Sequence, residues 1–243
     1  MDNLKREQSS TTLSISVSGA NPVNPAAELT VPVRELLIKL GATALGVLGY
    51  VYLRFCYLTS RFQVTRQAQR SLEAWWAGLP SVFVCWHDEF LTCLVSIQQP
   101  RIRQHKPLFV TNDSFGGQFL ETFCRCLGLP RLVMPLRASR GEKLHKLGEG
   151  LEDHGALAIA ADYGRPWFQA HPTSRIVAAM ADGAVVAMSL SARRTWVLRF
   201  RDGKRIQLPL PFTTYTLRLS PPQQPSALAE ASALTEALNA LRN

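Results

Sequence analysis

From residue 81 to residue 191, compact apolar runs alternate with amphipathic stretches, and little chain is spent between them. Residues 81–86 (SVFVCW) follow a Gly-Leu-Pro turn and read as a strand buried on both faces. Further strands are predicted at 107–111 (PLFVT), 132–135, 156–161 (ALAIAA) and 184–191. Between them, helices are predicted at 88–97, 117–127, 139–154 and 173–182, with Gly128 and Gly155 as stops. Two β-rich segments, 195–201 and 206–219, flank an Asp202-Gly203 turn. After the breaker 220–226 (SPPQQPS), Leu234, Leu238 and Leu241 share one face of a closing helix. Strand–helix alternation with short connections predicts an α/β fold: a mostly parallel central sheet flanked by helices.

The chain before residue 81 follows another pattern. Residues 1–33, rich in Ser, Thr, Asn and Pro and without the apolar stretch of a secretory signal, read as a disordered tail. Residues 34–80 hold a hydrophobic helix and then a short amphipathic one at 67–76, and residues 81–243 form the α/β domain. The hydrophobic stretch 36–58 (LLIKLGATALGVLGYVYLRFCYL) is interrupted only by Lys39 and Arg54. Its charge-free run, 40–53, is about 21 Å long as a helix, short of the ~30 Å bilayer core. Lys39 and Arg54 can snorkel, and Tyr50, Tyr52, Phe55 and Tyr57 are interfacial rings. A membrane-associated helix, partial rather than spanning, is the expectation; a buried core helix is the alternative.

Composition narrows the partners more than the fold. With 243 residues, 47% hydrophobic and 19% charged, the chain is too apolar for disorder and suits one domain of ordinary size. The net charge of +9 points to polyanions: a phospholipid surface, phosphorylated substrates or nucleic acid. Arg193, Arg194, Arg199, Arg201, Lys204, Arg205 and Arg218 concentrate part of it late in the chain, beside Trp196, Phe200, Phe212 and Tyr215. With no helix-turn-helix, zinc finger or aromatic RNA motif, a nucleic-acid partner is not expected. Five cysteines make an odd set, read as reduced. Cys124-x-Cys126 has no second pair at ligand spacing, so no metal is expected. Neither a Gly-x-Gly-x-x-Gly nor a Walker A loop is present, which removes dinucleotide and P-loop readings.

In α/β sheets, chemistry gathers beyond the carboxyl ends of the strands. Those ends here read Trp86-His87-Asp88-Glu89, Asn112-Asp113-Ser114, Arg137-Ala138-Ser139-Arg140 and Asp162-Tyr163-Gly164-Arg165. His87 is the natural proton-transfer group, with Asp88, Asp113 or Asp162 to orient it. Arg137, Arg140 and Arg165 suit a phosphate. Cys85 beside His87 allows a second reading, a thiol nucleophile with its base.

The order of these blocks resembles the lysophospholipid acyltransferase superfamily, the enzymes that acylate glycerol-3-phosphate and 1-acylglycerol-phosphate. It is most similar to a bacterial branch with Trp-His in place of the superfamily's His-x4-Asp. The matching blocks are Trp86-His87, Asn112 to Gln118, Arg137 to Glu142, Ala161 to Pro166 and Leu208-Pro209-Leu210-Pro211-Phe212. The resemblance covers about residues 36–243, nearly everything after the tail. Thr92 stands where the superfamily has the Asp of its pair, and Gly116 where the branch has an Asp, with Asp113 close by.

The resemblance implies an acyltransferase that moves a fatty acyl group from acyl-CoA or acyl carrier protein, as donor substrate, to a lysolipid, glycolipid or related hydroxyl acceptor. His87 and Asp113 would be catalytic; Ser114, Arg137, Ser139, Arg140, Asp162 and Arg165 would bind substrate. No bound cofactor is implied. The protein would work at a phospholipid membrane, on the cytoplasmic face of the inner membrane. The alternative is a degenerate relative that binds lipid or acyl carrier without turnover.

Overall fold

Apolar strands and capped helices alternate along the computed structural model, which describes residues 25–162, 168–199, 205–228 and 230–242. In chain order they are α1 (Pro25–Thr59), β1 (Arg61–Val64), α2 (Arg66–Trp76), β2 (Ser81–Cys85), α3 (Phe90–Ser96) and α4 (Pro100–Gln104). Next come β3 (Leu108–Asn112), α5 (Phe115–Leu127), β4 (Arg131–Met134), α6 (Arg140–His154) and β5 (Ala156–Ala160). The chain closes with α7 (Thr173–Met180), β6 (Ala184–Ala192), β7 (Thr195–Arg199), β8 (Arg205–Pro209), β9 (Thr214–Leu219) and α8 (Ala231–Arg242). One 3-10 turn, His87–Glu89, joins β2 to α3.

The fold is α/β with a mostly parallel seven-stranded sheet. Among the described residues its order is β1-β9-β6-β2-β5-β3-β4, with β7 and β8 forming a separate antiparallel ribbon. The pairs β2–β5, β2–β6, β3–β5, β3–β4 and β1–β9 are parallel, and β6–β9 is antiparallel. Helices cover both faces. Along β2, Phe83 and Cys85 join the core beneath α2, α3, α4 and α5, while Val82 and Val84 join the one beneath α6, α7 and α8. The period-2 alternation of a strand buried on both sides splits one apolar run between two cores.

The helix signals act where they were read. Ser139 caps α6 by accepting from Glu142 N at 3.2 Å, and the helix ends at Gly155, whose φ of 66° is left-handed. Gly128, at φ 68°, ends α5 in the same way. Four features differ from expectation. Helix α4, opened by Pro100 at its first turn, falls where no element is expected. Residues 61–64 are a strand; nothing in RFQV announces it, because an edge strand is made by pairing with β9, far along the chain. The segment 206–219 is two strands in different sheets, split by a turn that holds Phe212 at φ 55°. Helix α1 begins at Pro25, inside the segment read as a tail.

The chain divides into two units, Met1–Leu37 and Ile38–Asn243. Within the larger unit, α1 presses on α5: a Cβ at Gly46 would stand 2.6 Å from Thr122 Cβ and 2.9 Å from the Phe119 carbonyl. Leu53 and Cys56 are buried, but Leu40, Leu45, Val47, Leu48, Val51, Phe55 and Leu58 are exposed. Residues Glu35–Thr59 are apolar and long enough to cross a membrane, with 17% of the most apolar stretch buried.

Candidate active site

Strand order carries the candidate residues to one edge. Strands β2, β5, β3 and β4 are consecutive and parallel, so the four clusters that follow them line up along their carboxyl ends. Cys85 lies opposite Ala160, and Asn112 opposite Met134. His87, Asp113, Ser114, Arg137, Ser139, Arg140 and Asp162 thus share an edge. Arg165, Tyr163 and Gly164 lie outside the described residues.

His87 opens the 3-10 turn, with its side chain exposed. Asp162, buried at the end of β5, fixes the turn from one side. Its Oδ1 accepts from the backbone N of His87 at 3.0 Å and its Oδ2 from Phe168 N at 3.4 Å. The role of Asp162 here is to place the backbone of the histidine.

The turn is fixed more strongly from below. Asp88 is 0% exposed. Its Oδ2 accepts from Arg205 Nε at 2.9 Å and from Arg242 Nη2 at 2.5 Å. Glu89, also buried, accepts Arg242 Nε on Oε1 at 2.8 Å. Both guanidiniums lie over the Phe168 ring, 4.6 and 5.0 Å from its centroid, and that ring meets Trp86 edge-on at 5.5 Å. Burial pushes the Glu89 carboxyl above its ordinary value; a Ser189 hydrogen bond and Arg242 pull the other way, Asp88 adds to the rise, and Arg205 opposes it. Strand β8 and helix α8 are thereby tied to the histidine turn.

The other predicted residues have local partners. Asp113 is exposed, and its Oδ1 accepts from Leu136 N at 3.2 Å, which joins the β3 and β4 loops. Ser114 caps α5, accepting from Gly117 N at 3.2 Å while its hydroxyl donates to Asn112 Oδ1. Ser139 caps α6. The serines act first on the helix starts, and the positive ends of α5 and α6 face the edge. Arg137 and Arg140 are exposed there. Thr92 is fully buried and donates to the Glu89 carbonyl at 2.6 Å, so it is an internal brace of the turn.

The thiol-nucleophile reading meets a geometric obstacle. Cys85 is the last residue of β2 and faces the core with Cys93, whereas His87 begins a different element and is exposed. A hydrogen bond to Cys85, and then burial, push the Cys93 thiol well up. Cys124 is buried, its thiol pushed up to about 12 by burial, while Cys126 is exposed. Two residues apart on a helix, they point about 160° from each other, one into the core and one to solvent.

The contacts of Arg242 with Asp88 and Glu89, and of Arg205 with Phe168, are not among the features expected from the sequence. A signal was present: an acidic pair between the buried runs 81–86 and 90–97 must be neutralised. What neutralises it arrives from more than a hundred residues away and has no local trace. No protein-family model matches the chain, and no curated protein matches it.

Proposed function

We propose that the protein is a membrane-associated acyltransferase, transferring a fatty acyl group from acyl-CoA or acyl carrier protein to the hydroxyl of a lysolipid or related acceptor at the cytoplasmic face of the inner membrane. The observation that carries the reading is an exposed histidine on a turn held from two sides, at the sheet edge where exposed Arg137 and Arg140 stand. Carboxylates that hold the turn fix where the imidazole, which lies stacked on the Phe90 ring at 6.4 Å, is carried on the sheet edge.

In this mechanism His87 takes the proton of the acceptor hydroxyl as its oxygen attacks the thioester carbonyl. The tetrahedral intermediate collapses with cleavage of the C–S bond, and His87 returns the proton to the departing thiolate. Arg137 and Arg140, with Arg165 by resemblance, hold the acceptor phosphate, aided by the starts of α5 and α6. Asp113, Ser114 and Ser139 shape that loop face, and Asp162 positions His87.

The test is acyl transfer by the full-length protein in phospholipid vesicles, with lysophosphatidate and a panel of acyl-CoA and acyl carrier protein donors. His87→Ala should lower turnover by about 10²–10⁴. Wild-type turnover in that variant would sink the mechanism. A second reading, a binding protein without turnover, is favoured by Thr92, whose hydroxyl is spent inside the turn where the superfamily has a carboxylate. It predicts saturable lysolipid or acyl-carrier binding with no product from any donor.

A further inference from the structure

The β7–β8 ribbon has an outer strand that nothing covers among the described residues. Strand β8 packs along α3 and the histidine turn, and Arg205 ties it to Asp88. Strand β7 lies outside it, paired through Trp196 opposite Leu208 and Leu198 opposite Ile206. Trp196 is 64% exposed, and Val197 and Leu198 are exposed beside it. Three successive large apolar residues open to solvent are unusual for a strand, which normally hides alternate side chains.

This surface continues onto α1. Tyr52 Oη donates to the Pro209 carbonyl at 2.7 Å, at the end of β8. Phe212, 73% exposed, meets the exposed Phe55 edge-on at 5.8 Å. Arg193 and Arg194, exposed, precede the ribbon, and exposed Arg199 ends β7. The backbone N of Arg193 donates to the Thr214 carbonyl at 3.2 Å, and Thr214 lies opposite Arg61, which is also exposed. Apolar side chains rimmed by arginines complement a surface that is negative at its headgroups and apolar beneath.

We propose that β7 and Phe212 form a second bilayer contact, in which Trp196, Leu198 and Phe212 enter the headgroup–acyl boundary of an anionic phospholipid membrane and Arg193, Arg194 and Arg199 meet its phosphates. The inference rests on the reading of α1 as membrane-associated and adds a second point of attachment. Two attachments remove rotation about α1. Because Asp88 holds the ribbon to the histidine turn, they set the sheet edge bearing His87 against the lipid surface.

The test uses the full-length protein with phosphatidylethanolamine–phosphatidylglycerol vesicles carrying acyl-brominated lipid. Tryptophan quenching is compared between the wild type and Trp196→Phe, which keeps an aromatic ring in place. The expected result is equal flotation of both proteins, with most of the wild-type quenching lost in Trp196→Phe. Leu198→Ser with Phe212→Ser should weaken vesicle binding about tenfold. Arg193→Gln with Arg194→Gln should reduce the preference for phosphatidylglycerol over phosphatidylcholine. Flotation with unchanged quenching in Trp196→Phe overturns the proposal and leaves α1 as the anchor. Absence of flotation overturns the membrane reading as well. A dimer in solution that shields Trp196 from iodide, and is lost in the Leu198→Ser, Phe212→Ser variant, overturns it in favour of a second copy on β7.

Discussion

The turn after β2 and the loop after β4 stand at the same edge of one sheet, yet they are built in opposite ways. Below the first lie two buried carboxylates, held by two arginines from β8 and α8 across an aromatic ring. In the second, Arg137, Ser139 and Arg140 are exposed, and among the described residues no ion pair is buried: Ser139 accepts from Glu142 N, Lys143 Nζ donates to the Leu136 carbonyl, and one bond, from Leu136 N to Asp113 Oδ1, ties the loop to the exposed end of β3. A proton-transfer group benefits from being held, since a misplaced base loses rate steeply. Under the function proposed above, phosphate-holding arginines would gain from reach, because their ligand must enter and leave, so the held turn would serve the chemistry and the open loop the substrate.

The sharpest way to break the contrast is to remove the guanidinium shared by both carboxylates. Arg242→Ala leaves Asp88 with Arg205 alone and takes from Glu89 the ion pair it makes with Arg242. Stranding buried charge in this way should cost about 3 kcal/mol, or roughly 10 °C in Tm for a domain of this size. Thermal unfolding followed by circular dichroism would measure it. A Tm within a degree or two of wild type would show that the turn is held by packing instead.

A smaller effect follows from Glu89. Burial raises its carboxyl pKa, so the folded state holds this proton more tightly than the unfolded chain does. The stability this confers is complete at pH values below the ordinary glutamate range near 4.5, and it is lost as pH rises toward the folded-state value. The Tm of the wild type relative to Glu89→Gln should therefore be most favourable in acid and decline as pH rises. A difference that grows with pH would mean that Arg242 outweighs burial.

The smallest expected change in stability sharpens the other half. Arg137→Ala, in the open loop, should alter stability by no more than about 0.5 kcal/mol, while the KM for a phosphate-bearing acceptor rises. Unfolding and acyl-transfer kinetics on one preparation would separate the two readouts. A large loss of Tm with unchanged KM would reverse the roles assigned to the two regions.

Local features are legible wherever local physics decides them. The five strands from residue 81 to 191 announce themselves as compact apolar runs, and the cap at Ser139 and the stops at Gly128 and Gly155 are set by short-range hydrogen bonds and left-handed backbone. The apolar character of α1 is likewise evident in residues 36–58 alone. From these the α/β class and the clusters at the strand ends follow. Whatever depends on distant chain had to wait for the tertiary structure. Strand β1 exists because β9 pairs with it, and the segment 206–219 divides because its halves join different sheets. Arg205 and Arg242 look like surface charges until the fold lays them on Asp88 and Glu89. The +9 excess is present in composition, but its distribution is a tertiary fact: two of its arginines neutralise a buried acidic pair, and others rim the exposed apolar strand. A charge count sums over the chain, whereas burial and pairing depend on which distant segments are brought together.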